Sequence, residues 1–240
     1  ELISGIENTI GRPITYASIS PSLFRVIEIR DLTIHGKEED GTEVLVIKKV
    51  RIYYNLLTLL FKDPAESFRQ IKIEDTHLVL DTEKDTELIK TVSDLLQLGK
   101  QDAASEIQFD HTFTVTGNNL SIALVSPDWN ASMEQLFFRI KLNPESVSLE
   151  GKGNLSGSFT IDPLEPVTGS GRIELTGNAA PDFSWTNINL SFNDLESNLF
   201  KLADQTYDID FREGRNLVLR KIGDNLPIDL ELTVNPQDQS

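Results

Sequence analysis

The stretch VSLEGKGNLSGSFTI, residues 147–161, decides the reading of this chain. Its odd positions are Val147, Leu149, Gly151, Gly153, Leu155, Gly157, Phe159 and Ile161, while every even position from Ser146 to Thr160 is polar. Side chains of a strand point alternately to its two faces, so this is one strand with an apolar and a polar face. It is about three times as long as an ordinary strand and is expected to bend near its glycines. Residues 162–169, with Pro163 and Pro166, read as a turn, after which Gly171, Ile173, Leu175, Gly177 and Ala179 continue one apolar face. The pair forms a long antiparallel hairpin. One-faced strands follow at Ile188, Leu190 and Phe192, at Tyr207, Ile209 and Phe211, and at Ile228, Leu230, Leu232 and Val234, with a short helix expected over 195–202.

Towards the N-terminus the period is again two, at residues 14–19, 26–35, 44–54 and 70–81, but three of these strands contain a slip. Ile27 and Ile29 have one parity and Leu32 and Ile34 the other, with the switch at Arg30-Asp31. Leu45 and Ile47 give way to Val50 and Ile52 across Lys48-Lys49, and Ile71 and Ile73 to Leu78 and Leu80 across Asp75-Thr76. One extra residue flips every later side chain, so slips that preserve an apolar face predict bulges and a strongly curved sheet. IEIRDLTI (27–34) and IKIEDTHLVL (71–80) are also alike at a spacing of 44 residues, a hint of an internal repeat. Leu2, Ile3, Ile6 and Ile10 mark an amphipathic helix stopped by Gly11 and Pro13. Asn55 can cap a short helix over 56–61, and Asp85 or Thr86 a longer one with Leu88, Val92, Leu95 and Leu96, ending at Gly99. The chain divides into an N-terminal helix-and-sheet region, 1–104, and a continuing β-region, 105–240.

Composition narrows the chemistry. The 240 residues carry 22 Lys and Arg against 38 Asp and Glu, a net charge of -16 that disfavours binding to nucleic-acid phosphates. The charge is uneven, -1 over residues 1–60 and -15 over the remainder, so the N-terminal end is the one an anionic lipid surface repels least. With no Cys, there is no disulfide, thiolate metal site or thiol nucleophile. His35, His77 and His111 lie at no ligand spacing, and the carboxylates fall on polar strand positions and in turns such as KEEDG (37–41). The glycines of GKGNLSG lie within alternation and precede no helix. No catalytic residue, metal site or cofactor is expected. Asn-x-Ser sequons at Asn119, Asn130, Asn154 and Asn189 read as strand alternation that spells a sequon.

An apolar sheet face must be covered. A closed β-sandwich covers it with a second sheet, whereas an open curved groove covers it with a ligand, and periodicity leaves both open. The order of pieces is more specific. An amphipathic helix precedes GRPITYASISPSLFRVIEIRDLTI (11–34), VLVIKKVRIYYNLLTLL (44–60) and IKIEDTHLVLD (71–81), an order that resembles the N-terminal portion of the AsmA-like family, TamB-type members included. The resemblance covers about the first 80 residues. It implies a mainly β chain with a few short helices, whose long, curved antiparallel sheet forms an open groove like that of bridge-like lipid transfer proteins. It further implies a periplasmic location, anchored to the bacterial inner membrane through a segment preceding this one, and movement of phospholipid to the outer membrane in support of outer-membrane biogenesis. An outer-membrane β-barrel assembly protein is the implied protein partner, and nucleic acid is not expected. The expected acyl-chain lining is Ile27, Ile29, Leu32, Ile34, Leu45, Ile47, Val50, Ile52, Ile71, Ile73, Leu78 and Leu80 in the first part. In the later part it is Val147, Leu149, Leu155, Phe159, Ile161, Ile173, Leu175, Ile188, Leu190, Phe192, Ile209, Phe211, Leu230 and Leu232. The rival reading is a periplasmic β-domain that acts by packing and edge-strand pairing.

Overall fold

A computed structural model describes Glu7 and residues 11–21, 25–36, 42–61, 64–88, 90, 111–160, 165–180, 185–199, 201, 204–212 and 216–222. Twelve strands form one sheet. They are β1 (Ile14–Thr15), β2 (Ser18–Pro21), β3 (Val26–His35), β4 (Glu43–Tyr54), β5 (Phe68–Asp81) and β6 (Phe113–Val125), then β7 (Trp129–Asn143), β8 (Ser146–Phe159), β9 (Val167–Ala179), β10 (Trp185–Ser197), β11 (Gln205–Arg212) and β12 (Asn216–Ile222). Eleven lie side by side in the order β1-β3-β4 through to β12, and β2 shares the outer edge of β3 with β1. The sheet is curved, and its two ends do not meet. Substantial contacts between described elements run only between sheet neighbours, or at the helical connection after β4, so among the described residues no second layer covers the sheet. The closed sandwich is not the fold.

The hairpin predicted from residues 147–161 is β8 and β9, paired without a break from Val147↔Ala179 to Phe159↔Val167. All neighbouring pairs are antiparallel except β5 and β6, which run parallel from Gln70↔Thr114 to Asp81↔Val125. The connection over 82–112 is long enough to return the chain to the starting end, as a parallel pair requires. Its first turn is tied down by Asp81, whose carboxylate accepts from the amides of Glu83 and Lys84 at 2.9 and 3.1 Å. Those amides hold the Asp81 carboxyl below its usual range, Lys84 contributing most.

Two of the three parity slips, in β3 and β5, carry a left-handed residue, and the slip at Lys48-Lys49 of β4 does not. Asp31, Asp75, Asn119, Gln135 and Asp194 adopt left-handed φ of 50–53°, one each in β3, β5, β6, β7 and β10. Asn and Asp tolerate this region better than other side chains because they can hydrogen-bond locally. Asp31, Asp75 and Asn119 recur at 44-residue spacing, which extends the repeat to a third strand, and Asn119 Nδ2 donates to Asp75 Oδ1 at 2.7 Å. β3 and β4 stay in step across Asp31 and Lys48, with Ile29↔Val50 on one side and Leu32↔Ile47 on the other, whereas β6–β7, β7–β8 and β9–β10 shift register at Asn119, Gln135 and Asp194.

Three helical expectations need revision or fall outside the described residues. The helix expected over 195–202 is not one in its described part, 195–199: β10 continues to Ser197, and Leu195 follows the bulge at Asp194. A parity slip in a Leu-rich segment imitates helical spacing. Of the N-terminal helix, Glu7 alone is described, and it is helical; of the helix expected to end at Gly99, residues 86–88 and 90 are helical and the rest lies outside the described residues. Asp85, one of the two expected caps, has further partners. It pairs with the Arg12 guanidinium at 2.9 Å in a nearly water-free contact and accepts from the Asp81 amide at 2.8 Å.

Candidate functional site

Cross-strand register sorts the apolar side chains into rows perpendicular to the strands, because directly paired residues share a face. One row runs Ile27, Ile52, Ile71, Val115, Ile140, Leu149, Gly177, Ile188. The next runs Ile19, Ile29, Val50, Ile73, Gly117, Phe138, Gly151, Leu175, Leu190, Tyr207. Beyond the bulges, Ile34, Leu45, Leu78, Ile122, Met133 and Leu155 form a further row that ends on Gly171. Phe192 and Tyr207 meet edge to face on this surface, ring centroids 6.1 Å apart. Most of these side chains are half-buried rather than buried. Among the described residues the fully buried apolar set is small, notably Val147, Ala179, Ile29, Ile34 and Leu120. The chain exposes 16068 Å2, against roughly 10,800 Å2 for a compact protein of its mass.

The expected lining is thus brought together on one surface for the described strands. Ile27, Ile29, Leu32, Ile34, Leu45, Ile47, Val50, Ile52, Ile71, Ile73, Leu78 and Leu80 occupy it on β3–β5, and Val147, Leu149, Leu155, Phe159, Ile173, Leu175, Ile188, Leu190 and Phe192 on β8–β10. Ile209 pairs with Leu219 and Phe211 with Leu217 at the last pair of strands. Ile161, Leu230 and Leu232 lie outside the described residues. Sequence reasoning omitted β6 and β7 from the lining, although the same signal was present. Val115 and Gly117 give way to Leu120, Ile122 and Leu124 across Asn118-Asn119, and Ala131 and Met133 to Leu136, Phe138 and Ile140 across Gln135.

Where β7 to β10 approach the other strand ends, the face deepens into a concavity of about 430 Å3. Its floor is a row of small residues, Ala131, Gly157 and Gly169. Trp129, Phe159 and Val167 stand on one side and Leu155 and Leu195 on the other, and Ser156, Ser170 and Glu196 reach the rim. Small residues between two rows of large ones leave room for one narrow apolar guest, within the range of ordinary ligand sites.

The opposite face is polar and ion-paired. The Glu28 carboxylate accepts from Arg51 Nε at 2.9 Å and Arg30 Nε at 2.6 Å, and Arg51 reaches Glu74 at 3.3 Å. The two guanidiniums, Arg51 first, hold the Glu28 carboxyl below its usual range. Arg172 pairs with Asp194 and lowers that carboxyl likewise. The histidines tie strands together: His77 Nδ1 meets Ser121 Oγ at 2.6 Å, His35 Nε2 meets Thr15 Oγ1 at 2.9 Å, and His111 Nε2 lies 2.7 Å from the Phe68 carbonyl. Among the described residues no three His, Asp or Glu side chains converge as metal ligands. The described arrangement provides an apolar trough backed by a charged surface.

Residues 1–158 match the model of TP_0324_N, a family described as an N-terminal domain. The chain belongs to that family, which is uncharacterised, and the match draws no connection to AsmA-like proteins. No curated protein matches the chain.

Proposed function

We propose that this chain is a non-enzymatic lipid conduit segment, whose apolar face holds phospholipid acyl chains while headgroups stay in water at the open side. One observation carries the reading: two rows of apolar positions, most of them half-buried aliphatic side chains, cross eight strands or more with no described element covering them. Water on such a surface costs about 25 cal/mol per Å2, which an acyl chain relieves. Ten inter-strand steps of about 4.8 Å give a path of about 50 Å. Successive rungs are alike, so an acyl chain can shift along them with little change in free energy.

The AsmA-like resemblance of the first 80 residues supports a setting for this activity: the periplasm of a diderm bacterium, at the inner membrane, passing phospholipid towards the outer membrane. In the alternative, the domain serves outer-membrane protein assembly through a β-barrel partner. The outer edge of β12, which among the described residues pairs with β11 alone, favours that reading to the extent that it can accept another strand.

The test is native mass spectrometry of the purified chain with solvent extraction and lipid identification. Near-stoichiometric phospholipid is expected, lost from Leu149→Glu and Ile173→Arg variants that still fold, because both side chains are half-exposed in the trough. A folded, lipid-free wild-type chain would sink the proposal in favour of edge-strand interaction. Global unfolding of both variants would mean the face is a packed core.

A further inference from the structure

On the sheet most large apolar side chains stand inside the trough; Leu199 after β10 stands outside it singly, 69% exposed, and one connection carries a cluster that does. The helix between β4 and β5, α1 (Leu56–Phe61, LLTLLF), has no buried residue and no charge, and Leu57, Leu60 and Phe61 are 67, 64 and 80% exposed. A mere connection has no need of such residues, and a contiguous exposed apolar patch marks a contact surface. The helix is also held firmly. Asn55 Oδ1 accepts from the Leu57 and Thr58 amides at 3.0 and 3.3 Å, an N-cap. The Asn55 amide donates to the Ser67 carbonyl at 2.8 Å, which closes the base of the loop on a fully buried Ser67. It is an apolar tip on a closed stem.

Its position and charge indicate what it meets. The helix follows the Tyr54 end of β4, the end at which β3 pairs with β2, where Ile19 is also exposed. Arg25, exposed, is bound at that end through its carbonyl to the Tyr54 amide. Residues 1–60 carry a net charge of only -1, so this part of an otherwise acidic molecule can approach a membrane without strong repulsion. A protein partner would use a rim of hydrogen-bonding groups, yet apart from Thr58 the tip has no polar side chain. Six helical residues span about 9 Å, a depth suited to the headgroup and acyl boundary rather than to crossing.

We propose that α1 is a bilayer-docking element that inserts Leu57, Leu60 and Phe61 into a membrane surface and seats the first end of the trough on it. The purpose of this contact rests on the acyl-chain reading of the trough, but the contact itself does not. The test is flotation with phosphatidylcholine vesicles, with extracted lipid and thermal unfolding measured on the same preparations. The wild-type chain is expected to float. A Leu57→Ser/Leu60→Ser/Phe61→Ser variant should partition at least about tenfold less while keeping its melting temperature and its bound lipid. Leu149→Glu should lose bound lipid and still float. A wild-type chain that stays unbound, or a triple variant that floats equally, overturns the proposal. So does concentration-dependent dimerisation that the triple variant abolishes, since a second copy would then cover α1. Flotation of a wild-type chain that carries no lipid would leave α1 docking standing and remove the conduit reading.

Discussion

Strands β3 to β7 and the β8–β9 hairpin keep the same apolar face by different means. In β3, β5, β6 and β7 a residue with left-handed φ adds one to the count, and the apolar parity changes with it. In β8 and β9 the parity never changes, and a glycine lies where the neighbouring strand bulges. Gln135 and Leu136 of β7 face the single position Gly153, and Asp194 and Leu195 of β10 face Gly171. A Cβ on Gly153 would lie 3.1 Å from Leu136 Cδ1 and 3.3 Å from the Glu134 carbonyl oxygen, and one on Gly171 would lie 2.6 Å from Leu195 Cδ2 and 3.2 Å from the Asn193 carbonyl oxygen. Where a bulged strand adjoins an unbulged one, the extra residue needs space that only the missing side chain supplies.

The largest expected effect breaks that accommodation. Gly171→Val should destabilise the chain by about 2–3 kcal/mol, with Gly153→Val close behind, because each new side chain meets backbone that cannot yield as well as a flexible Leu. Ser170→Val, next door on the exposed polar face, should change stability by less than about 0.5 kcal/mol. Urea midpoints at constant m-value measure all three, and equal effects at 170 and 171 would show that the bulge of β10 needs no glycine opposite it.

A smaller effect is expected on the bulged side. Asp75 sits at φ 53° and accepts from Asn119 at 2.7 Å. A β-branched residue there is strained, so Asp75→Val should cost about 1–2 kcal/mol. Asp75→Gly loses the hydrogen bond and relieves the backbone, and should fall within about 0.5 kcal/mol of wild type. If Val and Gly melt alike, the left-handed conformation is not what stabilises the crease.

Much of this architecture is legible in the sequence, and the reasons differ by element. The alternation of 147–161 and the slips at 30–31, 48–49 and 75–76 follow from burial of one face, which periodicity records directly. The slip at Asp194 was misread as a helix, because Leu195, Leu199 and Leu202 also fit a 3.6-residue spacing. The parallel pairing of β5 and β6 is invisible to periodicity, which is the same whichever way a neighbour runs. The 430 Å3 concavity is invisible too, since Ala131, Gly157 and Gly169 become a floor only once register places them side by side.

The smallest effect concerns the polar face, and pH reveals it. On the bulged side Glu28 lies between Arg51 and Arg30, which depress its carboxyl in that order. A folded-state value below the unfolded one contributes stability that is present above the unfolded value and lost as pH falls through the folded one. Below the ordinary value of 4.5, therefore, wild type should lose more stability than Glu28→Gln, and their urea midpoints should converge. The pair is solvent-exposed, so the gap at neutral pH should be small and should shrink with salt. Asp194→Asn, which removes the carboxylate that pairs with Arg172 across the β9–β10 boundary, should behave in the same direction. A gap between wild type and Glu28→Gln that stays constant from pH 7 to pH 3 would mean that Glu28 acts through packing of its stem on β4, and that the ion-paired face contributes nothing specific to holding the bulged strands together.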